Sequence, residues 1–437
     1  MIKALNRLTL KSEHHGHNRF VADVLTIATG TFAAQAISFG FTPLLTRIYG
    51  PDSFGAMAAF MALLNIISPM STLGFSSAIV IPAERKCAAA VARLSLLSAV
   101  LVTVLSTILV WTYLPHIADA TGLESNSKLL YLIPVSVLIA AFLSVGEQMA
   151  IREGIYRIKA TAYVTSTLIS NVGKLAFGLL TPVALTLILN TILGRAVNGF
   201  FILWRASHSG HFDVRSWCGT TGIFKAAKAH GDFAIYRMPQ SVINAASFGL
   251  PVILLTMFFN PAVAGQYSVT TLLLSAPAML LGQSVAEVFF PKFTIAIRSN
   301  PIGATSLLQR ATVVMSLLSI IPFGLIALYG DIVFPYILGD EWGKAGTFSQ
   351  WVSLWMASML ISRPAVSAMA ALGLQRALLI YEIAITALRA GSLFVGYRLG
   401  SEVVAVGAFS LVNVVGYVTL ILFVLSKARM ETGEKYV

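Results

Sequence analysis

Four basic residues lie well inside long apolar stretches of this 437-residue chain: Lys174, Arg195, Arg363 and Arg389. On insertion scales each such cation costs about 2.5–3.5 kcal/mol at the centre of a membrane helix, so its position requires compensation. Carboxylates are scarce at that depth, although Glu382 lies two helical turns before Arg389, and pairing between the two is a structural alternative. An excess of cations over acids inside apolar stretches favours a cavity that receives an anion.

Polar residues at helical spacing indicate how such a cavity could be lined. The first apolar stretch carries one stripe of them on a single helix face: Thr31, Gln35, Ser38, Thr42 and Thr46. The seventh stretch repeats the pattern with Gln240, Asn244 and Ser247. Such stripes either join helices to one another or line a wet cavity. Both interpretations stay open for a single stripe, and we take Gln35 and Asn244 as candidate substrate contacts.

The same two stretches contain prolines at corresponding places. Pro43 and Pro251 each remove a backbone hydrogen bond, so the helices can bend there, and both are candidate hinges. Patterns of soluble catalysis are absent from the sequence: it has no glycine-rich phosphate loop, no CxxC pair and no HExxH. We therefore expect a protein that is not an enzyme and that holds neither a cofactor nor a metal.

The composition indicates that the basic and polar residues named above lie in membrane helices. Hydrophobic residues make up 57% of the chain and charged residues only 11%, against about 25% charged in soluble domains. A membrane helix needs about 20 predominantly apolar residues. Twelve stretches meet this need: 22–47, 55–74, 92–114, 129–147, 161–180, 183–204, 240–259, 266–289, 312–329, 347–372, 377–396 and 403–425. The sequence therefore predicts an all-α integral membrane protein with twelve transmembrane helices.

Basic residues in the connections sort strongly to one side. Connections on the side of the N-terminus hold about 22 Lys and Arg, and those on the opposite side hold about four, a much larger asymmetry than the positive-inside rule requires. Both termini are therefore predicted to be cytoplasmic. The same sorting accounts for the formal net charge of +12, so we expect no nucleic-acid partner.

The chain also resembles itself at an offset near 210 residues. Pro51 and Gly55 correspond to Pro261 and Gly265 at an offset of 210, and Pro43 corresponds to Pro251 at 208. Each half would hold six helices, an even number, so both halves enter the membrane from the same side. They form two bundles related by a pseudo-two-fold axis along the membrane normal, as in many transporters. The predicted domains are an N-terminal six-helix lobe (1–205), a cytoplasmic linker (206–234) and a C-terminal six-helix lobe (235–437).

Four short segments resemble the polysaccharide-transporter family, the O-antigen and repeat-unit flippases: Leu45–Gly55, Ala78–Pro82, Ala264–Tyr267 and Leu338–Gly346. The resemblance covers both halves of the chain. It implies the multidrug/oligosaccharidyl-lipid/polysaccharide flippase fold, in which two six-helix bundles face a central cavity. By position Arg47 matches the family's arginine before the first turn, and this residue alone is carried over as a substrate contact. The turn at Glu341 and Trp342 is expected to be structural.

The resemblance also implies a function. Members of the family move undecaprenyl-diphosphate-linked oligosaccharides, such as O-antigen or exopolysaccharide repeat units, from the cytoplasmic to the periplasmic leaflet of the bacterial inner membrane. Cavity cations would receive the diphosphate. The expected partners are this lipid-linked oligosaccharide, membrane lipids, a polysaccharide polymerase and a chain-length regulator.

Three alternative functions predict different sequence features. A cation-coupled multidrug exporter of the same fold would need an anionic cavity, opposite in charge to the one predicted here. A membrane-embedded polysaccharide polymerase or ligase usually has a large periplasmic loop, and the longest one here has about 15 residues. A non-transporting assembly factor would need neither the repeat nor the cavity.

Overall fold

The computed structural model shows an almost entirely helical protein. The structure describes residues 2–208, 217, 219–299 and 301–434. Within them run fourteen α-helices: α1 (Ile2–Ile48), α2 (Pro51–Ser71), α3 (Arg85–Thr121), α4 (Ile133–Arg152), α5 (Tyr156–Gly178), α6 (Ala184–His208), α7 (Ile223–Ala229), α8 (Met238–Phe258), α9 (Pro261–Ser299), α10 (Pro301–Leu338), α11 (Gly343–Ile361), α12 (Arg363–Ala371), α13 (Gln375–Arg398) and α14 (Glu402–Glu434). Short 3₁₀ segments precede α3, α4 and α11, at Phe75–Val80, Glu124–Leu132 and Asp340–Trp342.

Several of these helices are built to cross a membrane. In the described part of the chain, eight helical segments are long and apolar enough to do so. Large apolar side chains also point outward from them, and Trp111 on α3 and Tyr336 on α10 are 79% and 82% exposed. Such surfaces suit lipid, and the chain is a multi-pass membrane protein. Eleven of the twelve predicted spans fall largely on one α-helix each, the exception being 347–372, and the number of twelve crossings stays a prediction.

Prolines explain where several helices begin and break. Pro51, Pro261 and Pro301 each start a helix, because the first helical position needs no backbone N–H donor. The predicted span 347–372 is divided at Ser362 into α11 and α12. A proline two residues later lacks the N–H that would continue the ladder of α11. Arg363 therefore lies in the first turn of a new helix.

The chain forms two compact units. Unit 1 contains residues 1–45, 60–117 and 126–246, and unit 2 contains residues 46–59, 118–125 and 247–437. One core of unit 1 is built around Phe75, Ile79 and Trp217. A core of unit 2 contains Phe289 and Phe293, whose rings are stacked at 5.2 Å. The lobe boundaries drawn from the internal repeat stay a prediction.

Candidate substrate-binding site

Lys174 and Arg195, the two candidate cations of unit 1, lie on helices α5 and α6. These helices meet along a close antiparallel seam, where Gly173 faces Asn190 and Ser170 faces Gly194. A Cβ added at either glycine would collide with the facing side chain. Each cation follows one of these glycines by one position, so both project on the same side of the seam. Because Gly173 lies opposite Asn190, Arg195 is about five residues beyond the position that faces Lys174, which separates the two cations by roughly 8 Å along the helix axis.

The guanidinium of Arg195 is held by a neutral partner. Its Nη2 donates to Oδ1 of Asn65 on α2 at 2.9 Å. One turn further along α6, Asn198 is buried, and its Oδ1 has no hydrogen-bond partner within the described residues. The amide of Asn65 orients Arg195 without cancelling its charge. This region of unit 1 therefore keeps both a positive charge and an unused acceptor.

Arg389, on α13 in unit 2, is held in the same way. Its Nε donates to Oδ1 of Asn413 on α14 at 2.8 Å, and the Nδ2 of Asn413 donates to the carbonyl of Phe409. Asn413 is fully buried, so the acceptor is fixed in place. The alternative partner Glu382 is exposed and forms no salt bridge with Arg389 within the described residues.

A small cavity joins Arg389 to one of the predicted hinges. Arg389, Pro251, Ser247 and Thr386 line a small space of about 10 Å³ between α8 and α13, about the size that holds one water molecule. The hydroxyls of Ser247 and Thr386 lie 3.3 Å apart. A bend of α8 at Pro251 would therefore change the surroundings of Arg389.

Arg363 has a less complete set of contacts. Its Nε is buried and has no hydrogen-bond partner among the described residues. Its side chain lies over Gly282 of α9, where an added Cβ would come within 3.0 Å of Cγ and 3.1 Å of Nε. The missing side chain at Gly282 thus leaves the space that this arginine occupies. A buried charged donor without a partner is costly, and an anionic ligand would satisfy it.

The remaining predicted residues lie in different surroundings. Arg47 is exposed at the end of α1, where its Nη2 donates to the carbonyl of Tyr336 in the last turn of α10 at 3.2 Å. A cation there stabilises the C-terminal end of a helix. Gln35 is half-buried on α1 and Asn244 is exposed on α8. Pro43 lies inside α1, one position before its last turn. The substrate contacts proposed for these residues stay a prediction.

Acidic groups are used at the helix ends rather than beside the candidate cations. Across the described ranges, salt bridges join Arg85 and Arg152 to Glu153, Lys159 to Glu147, and Lys344 to Glu402. None of these pairs includes Arg195, Arg363 or Arg389. The same part of the chain contains no group of three His, Cys, Asp or Glu side chains arranged for a metal ion.

Sequence reasoning missed a cluster of contacts between the segments that carry the family resemblance. In unit 2 the indole Nε1 of Trp342 donates to the carbonyl of Thr46 at 2.9 Å, and its ring packs edge-on against Phe54 at 5.3 Å. Gln266 donates to the carbonyl of Glu341 and accepts from the backbone N–H of Ala345, both at 2.7 Å. These turns are thus packing elements. Their unusual residue types were the available signal, but nothing in the sequence showed that they meet.

Two corresponding residues of the internal repeat also meet. A Cβ at Gly55 would collide with the carbonyl of Pro261, and a Cβ at Gly265 would collide with the carbonyl of Pro51. In the predicted repeat Pro51 and Gly55 are the equivalents of Pro261 and Gly265, so exchanging the two copies would exchange the two contacts. Reciprocal contacts of this kind are expected where equivalent segments pack across a two-fold axis.

The fold matches those of solved membrane transporters. An inward-facing multidrug resistance MATE family transporter of the MOP superfamily aligns with a TM-score of 0.72 and 16% identity, over 93% of this chain and 96% of that one. The lipid II flippase MurJ aligns with a TM-score of 0.74 and 12% identity, over 93% and 90%. A MOP superfamily transporter from Pyrococcus furiosus gives 0.61 and 15%, over 94% and 95%. The chain therefore shares the fold of these transporters.

Sequence comparison then gives the family. The family model described as "Polysaccharide biosynthesis protein" matches residues 44–347. The succinoglycan biosynthesis transport protein ExoT of Rhizobium meliloti (strain 1021) is 21% identical over 321 residues, which cover 72% of this chain and 61% of that protein. The aligned part thus spans less than two thirds of that relative. The chain belongs to the polysaccharide biosynthesis protein family, and the resemblance stated from its motifs is confirmed.

Proposed function

We propose that the protein is a flippase that moves undecaprenyl-diphosphate-linked oligosaccharide repeat units from the cytoplasmic to the periplasmic leaflet of a bacterial inner membrane. The repeat unit would belong to an O-antigen or an exopolysaccharide. Membership of a polysaccharide biosynthesis family supports a glycan-bearing substrate, and the transporter fold supports translocation rather than synthesis.

The observation that carries the proposal is the state of the intramembrane arginines. Arg363 has a buried Nε without a partner among the described residues, and Arg195 and Arg389 are oriented by neutral amides. A diphosphate would supply the missing negative charge through charge-assisted hydrogen bonds, which are roughly twice as strong as neutral ones. Lys174, Gln35 and Asn244 would contribute further polar contacts to the head group and sugars, and Arg47 would contact the substrate at the end of α1.

The sign of the charge separates this function from the drug-exporter alternative. The fold alone is shared with multidrug transporters, so it does not choose between them. A cavity for cationic drugs needs acidic groups, whereas three of the described acids, Glu147, Glu153 and Glu402, are engaged in salt bridges at helix ends. The surplus of cations favours an anionic passenger.

The proposal includes alternating access by two six-helix lobes. The reciprocal contacts of Gly55 and Gly265 support a repeat related by a pseudo-two-fold axis along the membrane normal. Twelve spans would leave both termini in the cytoplasm, and bending of α1 at Pro43 and α8 at Pro251 would accompany the transport step. A polysaccharide polymerase and a chain-length regulator would act on the delivered units.

The test is a charge-removing double substitution in the native host. R363Q/R389Q should abolish surface polysaccharide and cause lipid-linked repeat units to accumulate on the cytoplasmic face, at unchanged protein abundance. The control variant R310Q/R398Q removes the same charge from two exposed positions on α10 and α13 and should retain assembly. Normal polysaccharide levels in R363Q/R389Q would refute the proposal.

A further inference from the structure

A cavity of about 970 Å³ lies within unit 1, away from the candidate arginines. Its walls come from three connections: residues 82–93 before and in the start of α3, residues 149–153 at the end of α4, and Trp217 with residues 221–230 around α7. The distribution of Lys and Arg predicts that all three connections lie on the cytoplasmic side. Pockets of about 300–1,000 Å³ typically enclose a small ligand, so this cavity has the volume of a binding site.

The cavity is lined by five cations and two carboxylates: Arg85, Lys86, Arg93, Arg152, Lys225, Glu84 and Glu153. Three of the cations already have partners. Arg152 donates to the carbonyls of Ile79, Pro82 and Ala83, Arg93 donates to the carbonyl of Thr221, and Arg85 pairs with Glu153 at 2.9 Å. These bonds hold the rim in a defined shape.

Lys86 and Lys225 are the cations that remain available. Both are exposed, and neither forms a hydrogen bond or salt bridge with a described residue. They stand on different wall segments, one at the start of α3 and the other on α7. Two ammonium groups on separate walls of one cavity can bind a single anion between them.

The inner walls are apolar. Ala88, Val91, Met149, Trp217 and Ala226 are buried and line the cavity below the charged rim. A small soluble anion would gain nothing from these side chains. A ligand with both an anionic group and an apolar part would contact the whole site, since basic pockets between membrane helices on the cytoplasmic side suit anionic lipid head groups.

We propose that this cavity binds the head group of an anionic phospholipid of the cytoplasmic leaflet. The phosphate would lie between Lys86 and Lys225, and the glycerol backbone and first methylene groups would lie against Trp217 and Met149. This site is separate from the proposed transport site and does not depend on it. Bound lipid would stabilise unit 1 by joining the connection before α3 to α7.

The test uses the purified full-length chain in a neutral detergent. Phosphatidylglycerol, phosphatidylcholine and glycerol 3-phosphate are added separately, and lipid affinity is measured by native mass spectrometry together with the shift in melting temperature. Phosphatidylglycerol should bind and stabilise the wild type. K86Q/K225Q should weaken that binding roughly 30-fold, at about fivefold per lysine near a membrane surface.

A matched control keeps the result interpretable. R157Q/K228Q removes two exposed charges from neighbouring segments, one of them on α7 itself, without touching the cavity lining, and should bind phosphatidylglycerol like the wild type. Because Lys86 and Lys225 are exposed, both double variants should melt like the wild type without lipid. The proposal is overturned if K86Q/K225Q keeps wild-type affinity, if phosphatidylcholine binds equally well, or if glycerol 3-phosphate alone reproduces the stabilisation.

Discussion

Replacing Gly55 or Gly265 by alanine tests the reciprocal contact that supports the internal repeat. In each case the new Cβ would overlap the backbone carbonyl of a proline on the facing helix. A carbon–oxygen contact normally needs roughly 3.3 Å, and a backbone carbonyl cannot rotate away as a flexible side chain can. The starts of α2 and α9 must therefore move apart. Overpacking of this kind costs about 1–3 kcal/mol, and the better helix propensity of alanine returns roughly 0.5–1 kcal/mol.

Because backbone meets backbone, the overpacking cost lies at the upper end of its range, and the expected net loss is about 2–2.5 kcal/mol of unfolding free energy for either variant. Because both substitutions separate the same two helix ends, G55A/G265A should lose less than the sum of the single variants. The assay is the melting temperature of detergent-purified protein, followed by size-exclusion chromatography after heating. Gly40→Ala is the matched control, since a Cβ at Gly40 of α1 meets no atom within 4 Å, and it should melt at or above the wild-type temperature.

A G55A variant that melts like the wild type and like G40A would show that the two helix ends have room for the added Cβ and would refute the contact. Full additivity of the G55A and G265A losses would refute it too, because independent effects would mean that the two glycines do not share one contact. A loss in only one of the two variants would contradict the reciprocity on which the repeat argument depends.

Three further substitutions test the site and its supports. Gly282→Ala should reduce glycan transport several-fold with little change in melting temperature. The flexible stem of Arg363 can move by a few tenths of an ångström to make room for the new Cβ, but this displaces its guanidinium. Wild-type transport at equal protein abundance would contradict this. Asn413→Ala should lower the unfolding free energy by about 1–3 kcal/mol, because the buried Nε of Arg389 loses its acceptor, and an unchanged melting temperature would count against that bond. Trp342→Phe should lower the unfolding free energy by about 0.5–1.5 kcal/mol, because it removes the indole N–H bond to the carbonyl in α1 but keeps an aromatic ring. In the same melting assay, a stability equal to that of the wild type would show that the bond contributes nothing.

The helices and the candidate cations could be predicted from the sequence because both leave strong local signals. A run of about 20 apolar residues has few alternatives to a membrane helix, and a charge inside such a run is conspicuous because its insertion is costly. The partners of those cations could not be predicted. Asn65 lies 130 residues from Arg195. A neutral amide carries no charge opposite to that of the arginine, so charge pairing does not identify it in the sequence.

Contacts between distant segments were likewise hidden. The repeat register identifies Gly55 and Gly265 as equivalent positions, but equivalence carries no information about distance. The break at Ser362 was missed because hydropathy continues across it, although Pro364 marks the place in retrospect. Arg47 is a similar case, since nothing in the sequence indicated the hydrogen bond that it donates to the last turn of α10. Its role as a substrate contact stays a prediction.

The central claim is that arginines inside the membrane helices bind the diphosphate of a lipid-linked substrate, and the most direct measurement is the affinity of the purified protein for undecaprenyl diphosphate in nanodiscs. Each charge-assisted hydrogen bond contributes about 1.5–3 kcal/mol, so R363Q/R389Q should bind at least about 100-fold more weakly than the wild type, while R310Q/R398Q should match the wild type. Equal affinity of R363Q/R389Q and wild type would contradict the account.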